Sequence, residues 1–233
     1  MHELELLQQE IIGCSRCPRL RAHCSLVAEV KRRAYREENY WGRPVPSFGD
    51  PAARVLILGL APGAHGANRT GRMFTGDSSG DLLYRVLYNT GFASQPSGRS
   101  AGDGLQLNGA YITASAHCAP PDNKPAREEI LACRSYLQRE LELLTGVVAV
   151  VALGRIAFDN YLAATGERKS RFVFAHNLVN ETGSGKPKLI ASFHPSQQNT
   201  STGKLTEPML EAVFITARRL AYSPAPDEIA RTQ

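Results

Sequence analysis

The chain has 233 residues, 42% hydrophobic and 21% charged, with a net charge of +5. That is enough for one large domain with a full core, in the composition of an ordinary globular protein. It excludes a membrane-spanning protein, since no apolar run approaches the needed length. A secreted disulfide scaffold is disfavoured too, because the five cysteines follow an amino terminus, Met1-His2-Glu3-Leu4, that is no signal peptide. The expected location is the cytoplasm, or the nucleoid if the chain is bacterial. The basic excess suits a nucleic-acid binder without requiring one.

Residues 4–12 place Leu4, Leu7, Ile11 and Ile12 on one side of a short amphipathic helix. Cys14 and Cys17 follow as C-x-x-C, two thiols close enough to share a metal, and Cys24 reads as a core residue. Residues 31–40 are charged, and 41–53, with Pro44, Pro46, Gly49 and Pro51, read as an extended loop. The apolar run at 54–60 is a buried parallel strand. It opens into a long loop reaching Asp77, broken by Gly63, Gly66, Gly71 and Gly76. The same loop carries His65, Asn68, Arg69, Arg72 and Phe74.

A helix over 78–89 follows, closed by Gly91. Residues 93–109 read as loop and 110–113 as a second strand. That strand leads into a segment with Cys118, Asn123 and Lys124, and Pro125 then starts a helix that contains Cys133. Residues 147–153 form a third buried strand and 154–165 a helix. Residues 172–188 are irregular, and 189–193 form a fourth strand. That strand opens into His194-Pro195-Ser196-Gln197-Gln198-Asn199 and, further on, Lys204. Thr206 caps a last helix, and 223–233 read as a flexible tail.

Strands alternating with helices predict an α/β fold: a three-layer α/β/α sandwich around a central, mainly parallel four-stranded sheet. A single domain spans 1–222, with the cysteine-bearing elements 14–17 and 118–133 included. Polar loops leave the carboxyl ends of three strands, where open α/β sheets place their ligands.

Two constellations carry chemistry. Cys14, Cys17, Cys118 and Cys133 form two pairs that can close one tetrathiolate site, for an iron–sulfur cluster or structural zinc. They also read as a C-x-x-C with two ordinary buried thiols. In the two main loops Asp77 is the only carboxylate. It reads either as a catalyst or as the N-cap of the next helix. His194 stands at a strand end, suited to chemistry, and Phe74 reads as pocket or core. Neither the ending of a P-loop nor the spacing of a dinucleotide fingerprint occurs, so no nucleotide cofactor is expected.

Three segments together resemble the uracil-DNA glycosylase superfamily: GLAPGAHGANRTGRMFTGD, Cys118-Ala119-Pro120-Pro121 with Asn123-Lys124-Pro125, and HPSQQNTSTGKLT. The nearest likeness is to family 5, the broad-specificity, iron–sulfur-containing branch. Family 4 carries Glu where this chain has Leu60, and family 1 uses an Asp-Pro-Tyr motif there. Gly63 departs from the GLAPA of many family 5 members.

The resemblance implies a monofunctional DNA glycosylase that flips out and excises uracil, together with hypoxanthine, xanthine and other deaminated or modified bases. It would hydrolyse the N-glycosidic bond, initiate base excision repair and act as a monomer. Asp77 would stabilise the cationic sugar or orient water, and His194 would hydrogen-bond the leaving uracil. Phe74 would stack on the base, with Ala61, Gly63, His65, Asn123 and Asn199 around it. Arg69, Arg72, Lys124, Ser196 and Lys204 would meet DNA phosphates, and Gln197 and Gln198 would fill the gap in the duplex. Cys14, Cys17, Cys118 and Cys133 would hold a structural 4Fe–4S cluster. Two other readings are a non-catalytic module on the same fold that binds uracil or abasic DNA, and an unrelated α/β hydrolase with structural zinc.

Overall fold

Three five-residue strands with no exposed side chain lie side by side at the centre of the fold: β2 (Val55–Gly59), β3 (Ala110–Ala114) and β4 (Ala149–Leu153). The computed structural model describes residues 3–222, so the tail expected at 223–233 lies outside the described residues. Around these strands the chain forms β1 (Phe48–Gly49), β5 (Leu178–Asn180) and β6 (Lys188–Ser192). Its helices are α1 (Glu3–Ile12), α2 (Pro18–Val30), α3 (Ala67–Thr70), α4 (Ser78–Asn89), α5 (Arg127–Leu143), α6 (Arg155–Ala164), α7 (Gln197–Ser201) and α8 (Glu207–Tyr222).

The sheet order is β1-β3-β2-β4-β6-β5. The four inner strands run parallel, as expected, and an antiparallel strand closes each edge. The sheet therefore has six strands rather than four. The two extra strands span only two and three residues, too short for an alternating pattern to register. They fall in stretches that read as loop.

Both faces are covered. Leu83, Tyr84 and Leu87 of α4 and Leu210, Val213 and Phe214 of α8 pack on Val55, Ile57, Ile112 and Val151. Leu137 of α5 and Phe158, Tyr161 and Leu162 of α6 pack on Leu56, Leu58, Val150 and Leu189. Leu7 and Ile11 of α1 dock beside Cys133 and Tyr136. Helix α2 was not foreseen: it buries only Leu20 and Cys24, too little for a periodic apolar stripe. Among the described residues no helix is long and apolar enough to cross a membrane.

Candidate active site

Four loops meet at the carboxyl edge of the parallel strands, and the longest runs from β2 to α4. Its course depends on close backbone packing. A Cβ on Gly59 would stand 2.9 Å from the Phe74 ring, and one on Gly80 would stand 1.7 Å from the Phe74 carbonyl oxygen. Phe74 itself is left-handed, at φ 52°, a conformation a bulky residue adopts only when its surroundings impose it.

Asp77 caps α4: its Oδ1 accepts from the Gly80 N–H at 3.0 Å. Its other oxygen faces the turn at 63–66, where a Cβ would come within 2.7 Å of Oδ2 at Gly63 and 2.1 Å at Gly66. The two readings of Asp77 are therefore compatible, one oxygen capping the helix and the other lying against the glycine turn. Burial raises the Asp77 pKa above the usual 3.8, while backbone bonds from Gly80 and Ser79 oppose the rise. Asp77 makes no ion pair among the described residues.

The Phe74 ring lies 6.1 Å from the His194 ring, tilted by 32°. Although partly exposed at its edge, His194 is enclosed enough that burial pulls its pKa down to about 4. The imidazole is thus neutral at pH 7. Asn199 Nδ2 donates to the His194 carbonyl at 2.8 Å, so this amide holds the histidine loop. Ser196 caps α7 through the Asn199 N–H. Gln197 and Gln198 are exposed on α7.

A cleft of about 320 Å³ opens beside His194, lined by Leu60, Arg155, Phe174, Phe193, Asn199 and Lys204 among others. Lys204 Nζ stands 5.1 Å over Phe193, and Arg155 5.7 Å over Phe174. Arg155, Phe174 and Phe193 were missed in the sequence. The available signal was Gly154, a glycine at a strand end, which is left-handed here at φ 96° and abuts His194.

Other expected site residues are placed differently. Ala61 and Gly63 are partly exposed at the mouth of the loop, and Asn123 and Lys124 are exposed at its neighbour. His65 Nδ1 shares a 3.1 Å hydrogen bond with Tyr40 Oη. Arg69 and Arg72 are not free to meet phosphates, because both are buried. Arg69 pairs with Glu38, donates to the carbonyls of His65 and Gly76, and stacks 3.9 Å from Tyr35. Arg72 makes a bidentate pair with Asp103 at 2.7 and 2.8 Å. A long polar loop must satisfy its own carbonyls, and the Arg69 guanidinium serves that need, while Arg72 Nε donates to the Thr75 hydroxyl.

None of the five cysteines is in a disulfide. Cys14 packs with Cys133, and Cys17 with Cys118 and Cys24. Burial raises the Cys133 thiol to about 12, with further contributions from Cys118, Cys17 and Cys14. Cys17 is raised by burial and then by Cys118. The four thiols from distant sequence positions thus share one electrostatic neighbourhood. Among the described residues no three His, Cys, Asp or Glu side chains gather tightly enough for a single metal ion. Cys24 is fully buried, as a core residue should be, with its thiol 3.6 Å from the Ala119 carbonyl.

The family model of the uracil DNA glycosylase superfamily matches residues 46–218, most of the chain. The chain belongs to the uracil DNA glycosylase superfamily. It is 50% identical to the type-5 uracil-DNA glycosylase of Thermus thermophilus, over 93% of this chain and 98% of that one. It is 49% identical to the type-5 enzyme of Mycobacterium bovis, over 89% of this chain and 78% of that one. A type-4 uracil-DNA glycosylase from Sulfurisphaera tokodaii is 27% identical, over 96% of this chain and 87% of that one. Within this superfamily member, the matched region takes in Asp77 and His194 but begins after Cys14 and Cys17.

Proposed function

We propose that the protein is a monofunctional uracil-DNA glycosylase that hydrolyses the N-glycosidic bond of deoxyuridine and so initiates base excision repair. The observation that carries this reading is the Asp77 carboxylate, enclosed without an ion pair against the Gly63–Gly66 turn, on the same loop as Phe74, whose ring lies 6.1 Å from that of His194. It rests also on the type-5 enzymes that the chain resembles at half its positions.

Breaking the C1′–N bond leaves the electron pair on the base and positive charge on the sugar. An ionised Asp77 opposes that positive charge, and in a water-poor site its field acts strongly. Neutral His194 offers an N–H to the oxygen of the departing base. Water adds to C1′ and gives up its proton, leaving an abasic site. The target nucleotide has to leave the stack to reach these groups, and Phe74 offers a ring for it to lie on. Gln197 and Gln198, exposed on α7, are suited to the space it vacates, and Lys124 and Lys204 to nearby phosphates. Lys204 lines the cleft beside His194, but its Nζ rests 5.1 Å over the Phe193 ring and makes no ion pair with Asp77 among the described residues, which favours hydrolysis without strand cleavage.

The small residues Ala61 and Gly63 leave room beside the base, so hypoxanthine, xanthine and other altered bases belong to the proposed range. Cys14, Cys17, Cys118 and Cys133 would hold a 4Fe–4S cluster. Such a group would tie the amino-terminal segment to the loop after β3 and take no part in bond cleavage. Four thiol donors from these two segments match the ligand set of an iron–sulfur cluster. Action as a monomer in the cytoplasm or nucleoid completes the proposal.

The test is a duplex with a single dU. Uracil release, with strand scission only after alkali, supports the reading. Intact strands after alkali overturn it. Tight retention of the duplex without uracil release would favour a non-catalytic module. A panel with hypoxanthine, xanthine and 5-hydroxymethyluracil defines the range.

A further inference from the structure

The stretch at 31–43, between α2 and β1, carries cations that the chemistry above does not use. It holds Lys31, Arg32, Arg33, Arg36 and Arg43 against two acids, Glu37 and Glu38. Glu38 is taken up by buried Arg69. Arg32, Arg33 and Arg36 are exposed, and none makes an ion pair among the described residues.

This stretch is fastened to the catalytic loop rather than left as a free arm. Tyr35 lies under the Arg69 guanidinium. Tyr40 Oη bonds His65, and also accepts from the Arg32 N–H at 3.3 Å. The N–H groups of Trp41 and Gly42 donate to the carbonyls of Arg69 and Asn68 at 2.9 and 3.0 Å. The same loop that sets Gly63 and Gly66 against Asp77 thus anchors a cationic segment at its flank. Arg32 stands close enough to add to the depression of the His65 pKa, after burial.

Clustered like charges without counter-charges repel one another, and a ligand with regularly spaced anions removes that repulsion. Since Arg69 and Arg72 are committed internally, the catalytic loop has no free arginine of its own. We propose that residues 31–43 form a phosphate-binding strap, in which Arg32, Arg33 and Arg36 grip the DNA backbone beside the flipped nucleotide. This inference rests on the reading of the chain as a DNA glycosylase.

The test compares wild type with the triple variant Arg32→Gln, Arg33→Gln, Arg36→Gln. Binding to a short duplex carrying a non-cleavable abasic-site analogue is followed by fluorescence anisotropy across a salt series. Each phosphate contact contributes about 0.9 to the slope of log affinity against log salt, so the variant should be shallower by about 2 to 3. Its affinity at low salt should fall about tenfold or more. The single-turnover excision rate at saturating enzyme should hold, because Asp77 and His194 are untouched. The single variant Arg36→Gln should lower the slope by about 1, and it serves if the triple variant folds poorly. Arg219→Gln, exposed on α8, should leave the slope unchanged. An unaltered slope in the arginine variants overturns the proposal, as does a slower single turnover with full affinity. Failure of wild type to release uracil from a dU duplex would instead sink the glycosylase reading, and the slope comparison would still decide the strap.

Discussion

Asp77 and Gly66 compete for the same space: a Cβ on Gly66 would stand 2.1 Å from Asp77 Oδ2. Gly66→Ala must therefore push the carboxylate off the turn or distort the turn itself. The expected result is loss of uracil excision by about a hundredfold or more, the scale of a 1 Å misplacement at a reacting centre. Gly102→Ala, with nothing within 4 Å, should keep full activity. Single-turnover release of uracil by the two variants is the measurement.

The two roles of Asp77 separate by substitution. Asparagine caps a helix about as well as aspartate, whereas alanine costs about 1 kcal/mol. Asp77→Asn should unfold near the wild-type denaturant midpoint and Asp77→Ala below it, while both lose most excision. Wild-type activity should fall with acid at a pH above the ordinary 3.8 of a carboxylate, because burial raises this pKa. The sign in stability is opposite. The native state holds this proton more tightly than the unfolded chain, so Asp77 weakens folding as pH rises through its pKa.

His194 acts in the other direction. Its folded pKa is about 4 against 6.5, so the unfolded chain takes up the proton first. The stability of the neutral form is complete above pH 6.5 and is lost as pH falls toward 4. The shift corresponds to at most roughly 3 kcal/mol. Urea unfolding at pH 7.5 and pH 4.5 should show a smaller difference in His194→Asn than in wild type.

Arg72 should matter for stability. Its guanidinium is buried in a bidentate pair with Asp103, which holds the Asp103 carboxyl well below its usual range, against the effect of burial. Arg72→Ala leaves that carboxylate without its partner and should cost about 3 kcal/mol. The salt slope of DNA binding should not change, since no phosphate contact is lost.

For the four cysteines, protein purified without oxygen should contain iron. Cys133→Ser should lower the bound iron and the melting temperature, whereas Gly102→Ala should change neither. A preparation with zinc and no iron would remove the cluster from the proposal.

The parallel core was legible because each inner strand is a run of buried apolar residues, such as Val55-Leu56-Ile57-Leu58. Asp77 was legible as the one carboxylate in two polar loops. Less legible was anything fixed by contacts distant in sequence. Nothing near Arg72 announces Asp103, and Tyr35 and Glu38 give no local sign of enclosing Arg69. A lone arginine in a polar loop looks like a surface cation, and only the folded chain shows its carbonyl partners. Helix α2 escaped for a related reason, since its buried contacts, Leu20 and Cys24, meet Cys118 and Ala119 much later in the chain.

Several partners of helix α1 lie far along the chain. Gln8 waits for Tyr111 and Glu140, and Glu10 for Arg139. Its apolar side, Leu7 and Ile11, waits for Cys133 and Tyr136. Earlier partners reach it first: Leu4 packs with Ala53, Leu56 and Leu58, and Gln8 Oε1 accepts from the Ser47 N–H. Contacts of such long reach close slowly. Until then the Cys14 and Cys17 thiols lack their later neighbours, Cys133 and Cys118. Docking of the Cys14–Cys17 segment beside Cys133 and Cys118 therefore waits for the second half of the chain.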